Sequence, residues 1–411
     1  MNDGTWIEIA AGSGRTDLPI AQRGGRITDV LPSPFPSTPL GGEHSSAITE
    51  SWVGGAVDVR RAEYMMIGGG GHADYPGNEG YALSLRNSTP AWRRISDPTP
   101  NARLANYTNT NGVLTYSDGR PRADHTSGFP VWLDGKVWFG AQSATPAGGN
   151  ARAGVSSFNR DALGAAASPM PHTDNGGTIN PWTCVGPIPG MDNADSNGSY
   201  TFGCGCADPW GHYTYNFSGF GADRTTFWYW RVNTLGPSAG QIEMLVANGG
   251  NPFANAMWCV CAHDLRIILV GDGANHRVLV LDISGAAMAT SFQIVSSFTG
   301  TPYTTGRCSG GYLPISNAII LGDPQNLGGT LKKIKIPTKI SNGRKVYDSA
   351  GTFQCSDVIT GGVTPTTTAA DSGTFGKFRL VPDMGDGRMA FVFVGGIDRS
   401  TFLYKIPAAG L

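Results

Sequence analysis

The sequence has few charged residues. Asp, Glu, Lys and Arg make up 15% of its 411 residues, against about a quarter in ordinary soluble domains. The 30 basic and 31 acidic side chains leave a formal net charge of −1. Nucleic acids and anionic membrane surfaces attract proteins with an excess of basic residues, so we expect neither as a partner.

The sequence also has no long apolar run and no leader-like start. No stretch approaches the ~18 apolar residues of a membrane-spanning helix. The opening "MNDGTWIEIAAGSGRTD" has neither the basic start nor the apolar centre of a secretory signal. We therefore expect no signal peptide, no membrane insertion and synthesis in the cytoplasm. Seven cysteines, an odd number, argue against a disulfide framework.

Glycine and tryptophan are abundant instead. The 59 glycines are about twice the usual share, and there are ten tryptophans. An apolar content of 40% is too high for a disordered chain. This composition is typical of a compact protein built from short strands and tight turns.

One pattern recurs along the chain. It consists of a strand of small residues, a turn with Asp, Arg or Gly, a branched or aromatic strand that ends in glycine, and an alternating strand. Three clear copies and three looser ones lie at 56–85, 203–232 and 258–283, then at 127–159, 308–336 and 378–406.

A candidate fourth strand follows five of the six copies: "AWRRIS" (91–96), "NPWTCVG" (180–186), "QIEMLVA" (241–247), "SFQIVSS" (291–297) and "TFQCSDV" (352–358). The sixth copy lacks one, whereas the unpaired "GTWIEIA" (4–10) has the same character. Stacked repeats closed into a ring leave no exposed end. We predict an all-β, six-bladed β-propeller of four-stranded blades, a single domain over 1–411 in which strand 4–10 completes the last blade. Seven blades are the alternative.

The run "GGGGH" (68–72) raises the question of a phosphate-binding loop. Such a loop needs a helix N-terminus directly behind it, but Pro76 and Gly77 follow instead. We therefore interpret Gly68–Gly71 as positions where neighbouring blades approach closely and the backbone takes a positive φ.

The units resemble kelch-repeat and galactose-oxidase-like β-propellers. The glycines of "MMIGGGG" are followed along the chain by Tyr81 and then by Trp92, which is the order typical of kelch units. "FVFVGG", Tyr404 and, across the closure, Trp6 repeat that order, and Trp182 keeps the tryptophan of a further unit. The middle units depart from it, because "ILVGDG" and "IILGD" carry one glycine and no later tryptophan.

The resemblance implies two kinds of chemistry. Galactose oxidase uses copper held by tyrosine, histidine and a cysteine-linked tyrosine, but the sequence has no adjacent Tyr-His pair of that kind, so we expect no cofactor and no metal. Some propellers resemble polysaccharide lyases, which need a base at the sugar C5 proton and a cation on the carboxylate. The candidates for these roles are His72, Tyr75, Arg122, His125, Tyr200 and Arg307. Each of them also has a structural interpretation, as a partner of loop carbonyls or as packing between blades.

Cysteines are concentrated on three predicted inner strands. Cys204 and Cys206 lie two apart and share one face of a strand, Cys259 and Cys261 repeat this spacing, and Cys308 begins the next unit. Inner strands are crowded, and cysteine packs there as a small apolar residue. A packed thiol cluster is the first interpretation, a disulfide between blades the second, and a soft-metal site the third.

Two classes of function remain. The first is a non-enzymatic binding or structural module, which we expect to be a bacteriophage virion component of the tail or capsid surface, contacting a host glycan or other protein chains of the assembly. The second is a carbohydrate-active enzyme such as a polysaccharide lyase. We favour the first, because no nucleophile, metal triad or carboxylate pair can be assigned to the loops.

Overall fold

The structure is a computed structural model. It describes residues 3–10, 25–37, 47–50, 53–68, 75–86, 90–123, 126, 129–139, 154–164, 171, 177–189, 203–218, 226–249, 257–272, 277–285, 292–296, 298–300, 308–322, 330–365, 377–396, 400–408 and 410–411.

Six antiparallel sheets, blades 1 to 6, follow one another along the chain. Each has four strands, which are named below from the inner to the outer edge. Blade 1 comprises Ala56–Asp58, Glu63–Ile67, Gly80–Ser84 and Trp92–Ser96. Blade 2 comprises Val131–Leu133, Lys136–Phe139, Gly154–Asn159 and Trp182–Pro187. Blade 3 comprises Gly203–Ala207, Tyr213–Ser218, Thr226–Asn233 and Ile242–Gly249.

The other three blades repeat this order. Blade 4 comprises Met257–Ala262, Ile267–Asp272, Val278–Asp282 and Gln293–Val295. Blade 5 comprises Ser309–Leu313, Ala318–Gly322, Thr330–Lys335 and Phe353–Ile359. Blade 6 comprises Phe378–Val381, Ala390–Val394, Thr401–Lys405 and, from the N-terminus, Thr5–Ala10.

The inner strands stand side by side around one axis. Each contacts the inner strand of the next blade, and that of blade 6 contacts that of blade 1. The ring is therefore closed with six blades, as predicted, and the seven-blade alternative is wrong.

The closure joins the two ends of the chain in one sheet. Thr5–Ala10 pairs antiparallel with Thr401–Lys405, and Trp6 lies directly opposite Tyr404. The centroids of these two rings are 5.3 Å apart, and both side chains are buried. The predicted closure of the last blade by the N-terminal strand is confirmed.

Two short strands extend the outer edges of blades, which the sequence did not predict. Phe298–Gly300 pairs in parallel with the outer strand of blade 5, and Gly361–Gly362 does the same in blade 6. Each follows the outer strand of the preceding blade, so the chain ties one blade to the next before it enters that blade's inner strand.

Among the described residues, the remaining regular elements are small. Two hairpins are Tyr107–Thr110 with Val113–Tyr116, and Thr338–Ser341 with Arg344–Tyr347. Short helices span Ile27–Val30, Ala47–Glu50, Asn101–Leu104, Asp161–Leu163 and Gly236–Ser238.

Aspartates fix the turn that leaves several inner strands. The carboxylate of Asp58 accepts from the main-chain N–H groups of Arg60 and Arg61. Asp208 accepts from the main-chain N–H groups of His212 and Tyr213 in blade 3, and Asp383 accepts from those of Gly385 and Gly387 in blade 6. A short acceptor side chain that bonds to the following backbone favours a tight turn, which explains the aspartates of the repeat.

Gly68 lies where two blades meet. Its φ is +63°, and a Cβ built on it would lie 2.9 Å from Cη2 of Trp182, on the outer strand of blade 2. The predicted positive φ and close approach of neighbouring blades are therefore confirmed at Gly68. Residues 69–71 lie outside the described residues.

Candidate ligand-binding channel

A cavity of about 540 Å³ follows the axis of the ring, and all six inner strands contribute to its wall. Small residues such as Ala56, Gly205 and Gly310 stand in these strands. Gly205 has no room for a larger side chain, because a Cβ there would lie 2.9 Å from Cγ2 of Val131. The crowding at the axis therefore selects small residues and leaves a narrow channel of the size that holds small ligands.

Arg379 carries a positive charge on the wall of this channel. It lies on the inner strand of blade 6, between two buried residues, Phe378 and Val381 of the same strand. Its Nε donates to the carbonyl of Gly55 at 2.9 Å, and its Nη2 donates to the carbonyl of Pro130 at 3.1 Å. These bonds fix the guanidinium against the segments that lead into blades 1 and 2.

Among the described residues, the side chains that act most strongly on Arg379 are uncharged at neutral pH, and Asp134 also lines the cavity. Burial lowers the pKa of its guanidinium, and the neighbours that act most strongly in the other direction are Tyr64 and the thiols of Cys204, Cys259 and Cys206. These groups are uncharged at neutral pH in their ordinary state. Because an arginine in a protein does not lose its proton, the channel wall keeps a positive charge.

Thiols form another part of the wall, on the inner strands of blades 3 and 4. Cys206, Cys259 and Cys261 line the cavity, and Cys204 packs in the same apolar cluster behind them. The Sγ of Cys259 donates to the Sγ of Cys206 at 3.1 Å. Burial, and then the neighbouring thiols, raise the pKa of Cys259 well above its ordinary value. Burial does the same for the pKa of Cys261.

Cys308, the fifth thiol of the predicted group, lies in a different place. It is buried in the cluster between blades 4 and 5, together with Cys355. The structure thus brings four of the five thiols to one junction, that of blades 3 and 4. Within the described residues, no group of three or more His, Cys, Asp or Glu side chains is arranged to hold a metal ion.

Charged and aromatic side chains stand at one mouth of the channel. The guanidinium of Arg60 lies 5.1 Å from the ring centroid of Trp132, and both residues contribute to the lining. Arg60 also pairs with Asp161 of blade 2 at 2.7 Å. These contacts join the turns of blades 1 and 2 at the rim.

Two of the six lyase candidates, Tyr75 and Arg122, are among the described residues, and both are buried. The hydroxyl of Tyr75 donates to Glu79, and burial, then the carboxyl of Glu79, raises the pKa of Tyr75 well above 10. Among the described residues that line the axial cavity, neither candidate occurs. His72, His125, Tyr200 and Arg307 lie outside the described residues, and the lyase assignment stays a prediction.

Sequence reasoning missed Arg379. The available signal was a charged residue inside "FRLV", at a place where the inner strands of blades 3 to 5 carry Gly, Cys and other uncharged side chains. That signal becomes informative only once these strands are known to surround one axis.

Among the described residues, none of the helices has the length and hydropathy to cross a membrane.

No protein-family model and no curated protein matches the chain. Similar solved structures include a calcium-binding protein, regucalcin, from Agrobacterium tumefaciens, with 10% identity, a TM-score of 0.41 and coverage of 87% of this chain and 91% of that one. A luciferin-regenerating enzyme has 11% identity, a TM-score of 0.40 and coverage of 89% and 94%. A periplasmic gluconolactonase from Pseudomonas aeruginosa has 11% identity, a TM-score of 0.38 and coverage of 92% and 93%. Likeness at this level says nothing about activity, and the six-bladed propeller fold rests on the strand pairing described above.

Proposed function

We propose that the protein is a non-enzymatic binding propeller whose axial channel holds a small organic carboxylate, with the guanidinium of Arg379 as the anion-binding group. The observation that carries this proposal is a fixed cation on the wall of a cavity built from all six blades.

Electrostatics supports an anionic ligand. Among the described residues, two carbonyls without net charge accept from Arg379, and the side chains that act most strongly on its pKa are hydroxyl and thiol groups. A charge in a confined site of reduced dielectric attracts an opposite charge more strongly than it would in water. Guanidinium and carboxylate groups also match in shape and can form two parallel hydrogen bonds.

The walls support an organic ligand rather than a bare ion. Val57, Val131 and Leu380 line the cavity and offer apolar surface to a carbon skeleton. A cavity of about 540 Å³ falls within the ~300–1,000 Å³ of ordinary small-molecule sites. A uronate sugar at the end of a glycan has the required chemistry, and it links the channel to the predicted glycan contact. The virion location stays a prediction.

Calorimetric titration of the whole protein with glucuronate and with glucuronate methyl ester tests this proposal. The ester has the same ring but no charge, so we expect it to bind at least tenfold more weakly, since a charge-assisted bond contributes about 1.5–3 kcal/mol. Equal affinity for the two compounds, or no binding of glucuronate, would overturn the proposal.

A pair of arginine variants tests whether Arg379 supplies the positive charge that binds glucuronate. Arg379→Met removes the guanidinium at similar length and is expected to weaken glucuronate binding at least tenfold. Arg344→Met removes an exposed arginine from the hairpin of Thr338–Ser341 and Arg344–Tyr347 and is expected to leave binding unchanged. If uronate polysaccharides yield an unsaturated product that absorbs ultraviolet light, the protein is a lyase and the non-enzymatic assignment is wrong.

A further inference from the structure

Three thiols meet where the inner strands of blades 3 and 4 touch. Cys204 and Cys206 share one face of Gly203–Ala207, and Cys259 faces them from Met257–Ala262. Cys259 donates to Cys206, with the sulfur atoms 3.1 Å apart, and Cys204 is buried in the same cluster as Cys259. Residues 206 and 259 are 53 positions apart in the chain, and the packing of blade 3 against blade 4 brings them together.

We propose that Cys206 and Cys259 form an oxidisable pair, which a peroxide-class oxidant converts to a disulfide between blades 3 and 4. The Cys206 sulfur gives up its proton and attacks one peroxide oxygen, the O–O bond breaks, and the leaving hydroxide takes that proton, so that sulfenic acid and water result. The Cys259 sulfur then attacks the sulfenic sulfur, the S–O bond breaks, and the hydroxyl leaves as water with the thiol proton. Two thiols lose two electrons and one peroxide is reduced to two waters.

The two thiols differ in exposure, and this difference sets the order in which they react. Cys206 is partly exposed, whereas Cys259 is buried, and both line the cavity. An oxidant in the channel therefore reaches Cys206 more readily. Because burial disfavours the thiolate of Cys259, Cys259 is the resolving thiol.

The other cysteines have different surroundings. Cys308 and Cys355 are buried together between blades 4 and 5. The Sγ of Cys184, on blade 2, donates to the carbonyl of Gly119. Cys261 lines the channel near Cys206 and therefore serves as a matched control for Cys259, which is on the same strand.

Alkylation and mass measurement of the native protein, before and after hydrogen peroxide, test the proposal. The reduced protein is expected to accept label on all seven cysteines after unfolding, and the oxidised protein on five. Peptide mapping is expected to link the fragment with Cys206 to the fragment with Cys259, and a thiol reductant is expected to restore all seven labels. Seven labels after peroxide treatment, or a link between other cysteines, would overturn the proposal.

Single variants, checked for folding by their melting curves, separate the roles. Cys259→Ser is expected to abolish the cross-link and leave a sulfenic acid at Cys206, trapped by a dimedone-type reagent. Cys206→Ser is expected to slow cross-linking at least tenfold, since only buried Cys204 then faces Cys259. Cys261→Ser is expected to cross-link like the unaltered protein. A cross-link that survives in Cys259→Ser contradicts the assignment even if one variant fails to fold.

Discussion

At the scale of single residues, folding shifts the pKa values of two buried glutamates of blade 1 in opposite directions. Arg160 of blade 2 pairs with Glu63 at 2.7 Å, and Arg93 also contacts it. Burial acts to raise the pKa of Glu63, but these two guanidinium groups hold it below its ordinary value. Glu79 accepts from the hydroxyls of two buried tyrosines instead, and burial raises its pKa.

Glu79→Gln is therefore expected to change the pH dependence of stability. A carboxyl whose pKa is raised by folding contributes stability below its unfolded pKa, about 4.3, and that contribution is lost as the pH rises through the folded pKa. The variant lacks this titration, so its free energy of unfolding should fall less between pH 4 and pH 8. Urea unfolding at several pH values measures this, and an unchanged slope would show that Glu79 is not buried as described.

Arg160→Met is expected to destabilise the junction of blades 1 and 2 by about 3 kcal/mol, because it leaves the Glu63 carboxylate buried with one partner fewer. The stabilisation from Glu63 is present above its unfolded pKa and is lost as the pH falls through its lowered folded pKa. The destabilisation of Arg160→Met relative to the unaltered protein should therefore become smaller in acid. Arg344→Met, at an exposed position, is the control, and a loss in Arg160→Met that persists unchanged in acid would contradict the ion pair.

At the scale of elements, strand pattern predicted the blades and their fourth strands, including the N-terminal one. The prediction succeeded because inner strands need small residues, the turns after them favour Asp or Gly, and both faces of a blade are buried and therefore apolar. The parallel strands Phe298–Gly300 and Gly361–Gly362 were missed, because two or three residues carry no periodicity. The channel chemistry was predicted only in part: the thiols stood out by their spacing, but Arg379 has no local motif.

Gly68→Ala tests the contact between neighbouring blades. It introduces a Cβ at φ +63° and 2.9 Å from Trp182. We therefore expect the free energy of unfolding to fall by more than the ~1–2 kcal/mol that a left-handed backbone costs a non-glycine residue. Gly343→Ala has a similar φ of +72° with no atom within 4 Å of the added Cβ, and it should show the backbone cost alone. Equal losses in thermal or urea unfolding would mean that the blades do not approach at Gly68.

At the scale of the whole molecule, the ring creates groupings that no single blade contains. Arg379 binds carbonyls from the entries to blades 1 and 2 and shares a cavity with thiols of blades 3 and 4. These residues are far apart in sequence and share one cavity because the inner strand of blade 6 contacts that of blade 1, in a ring that Thr5–Ala10 and Thr401–Lys405 close. The channel and its chemistry therefore depend on the closure.

A crystal structure of the protein soaked with glucuronate tests the central claim most directly. We predict density for the sugar in the axial channel, with its carboxylate oxygens within hydrogen-bond distance of the guanidinium of Arg379. An empty channel at a saturating concentration, or a sugar bound on the outer surface with its carboxylate away from Arg379, would contradict the account.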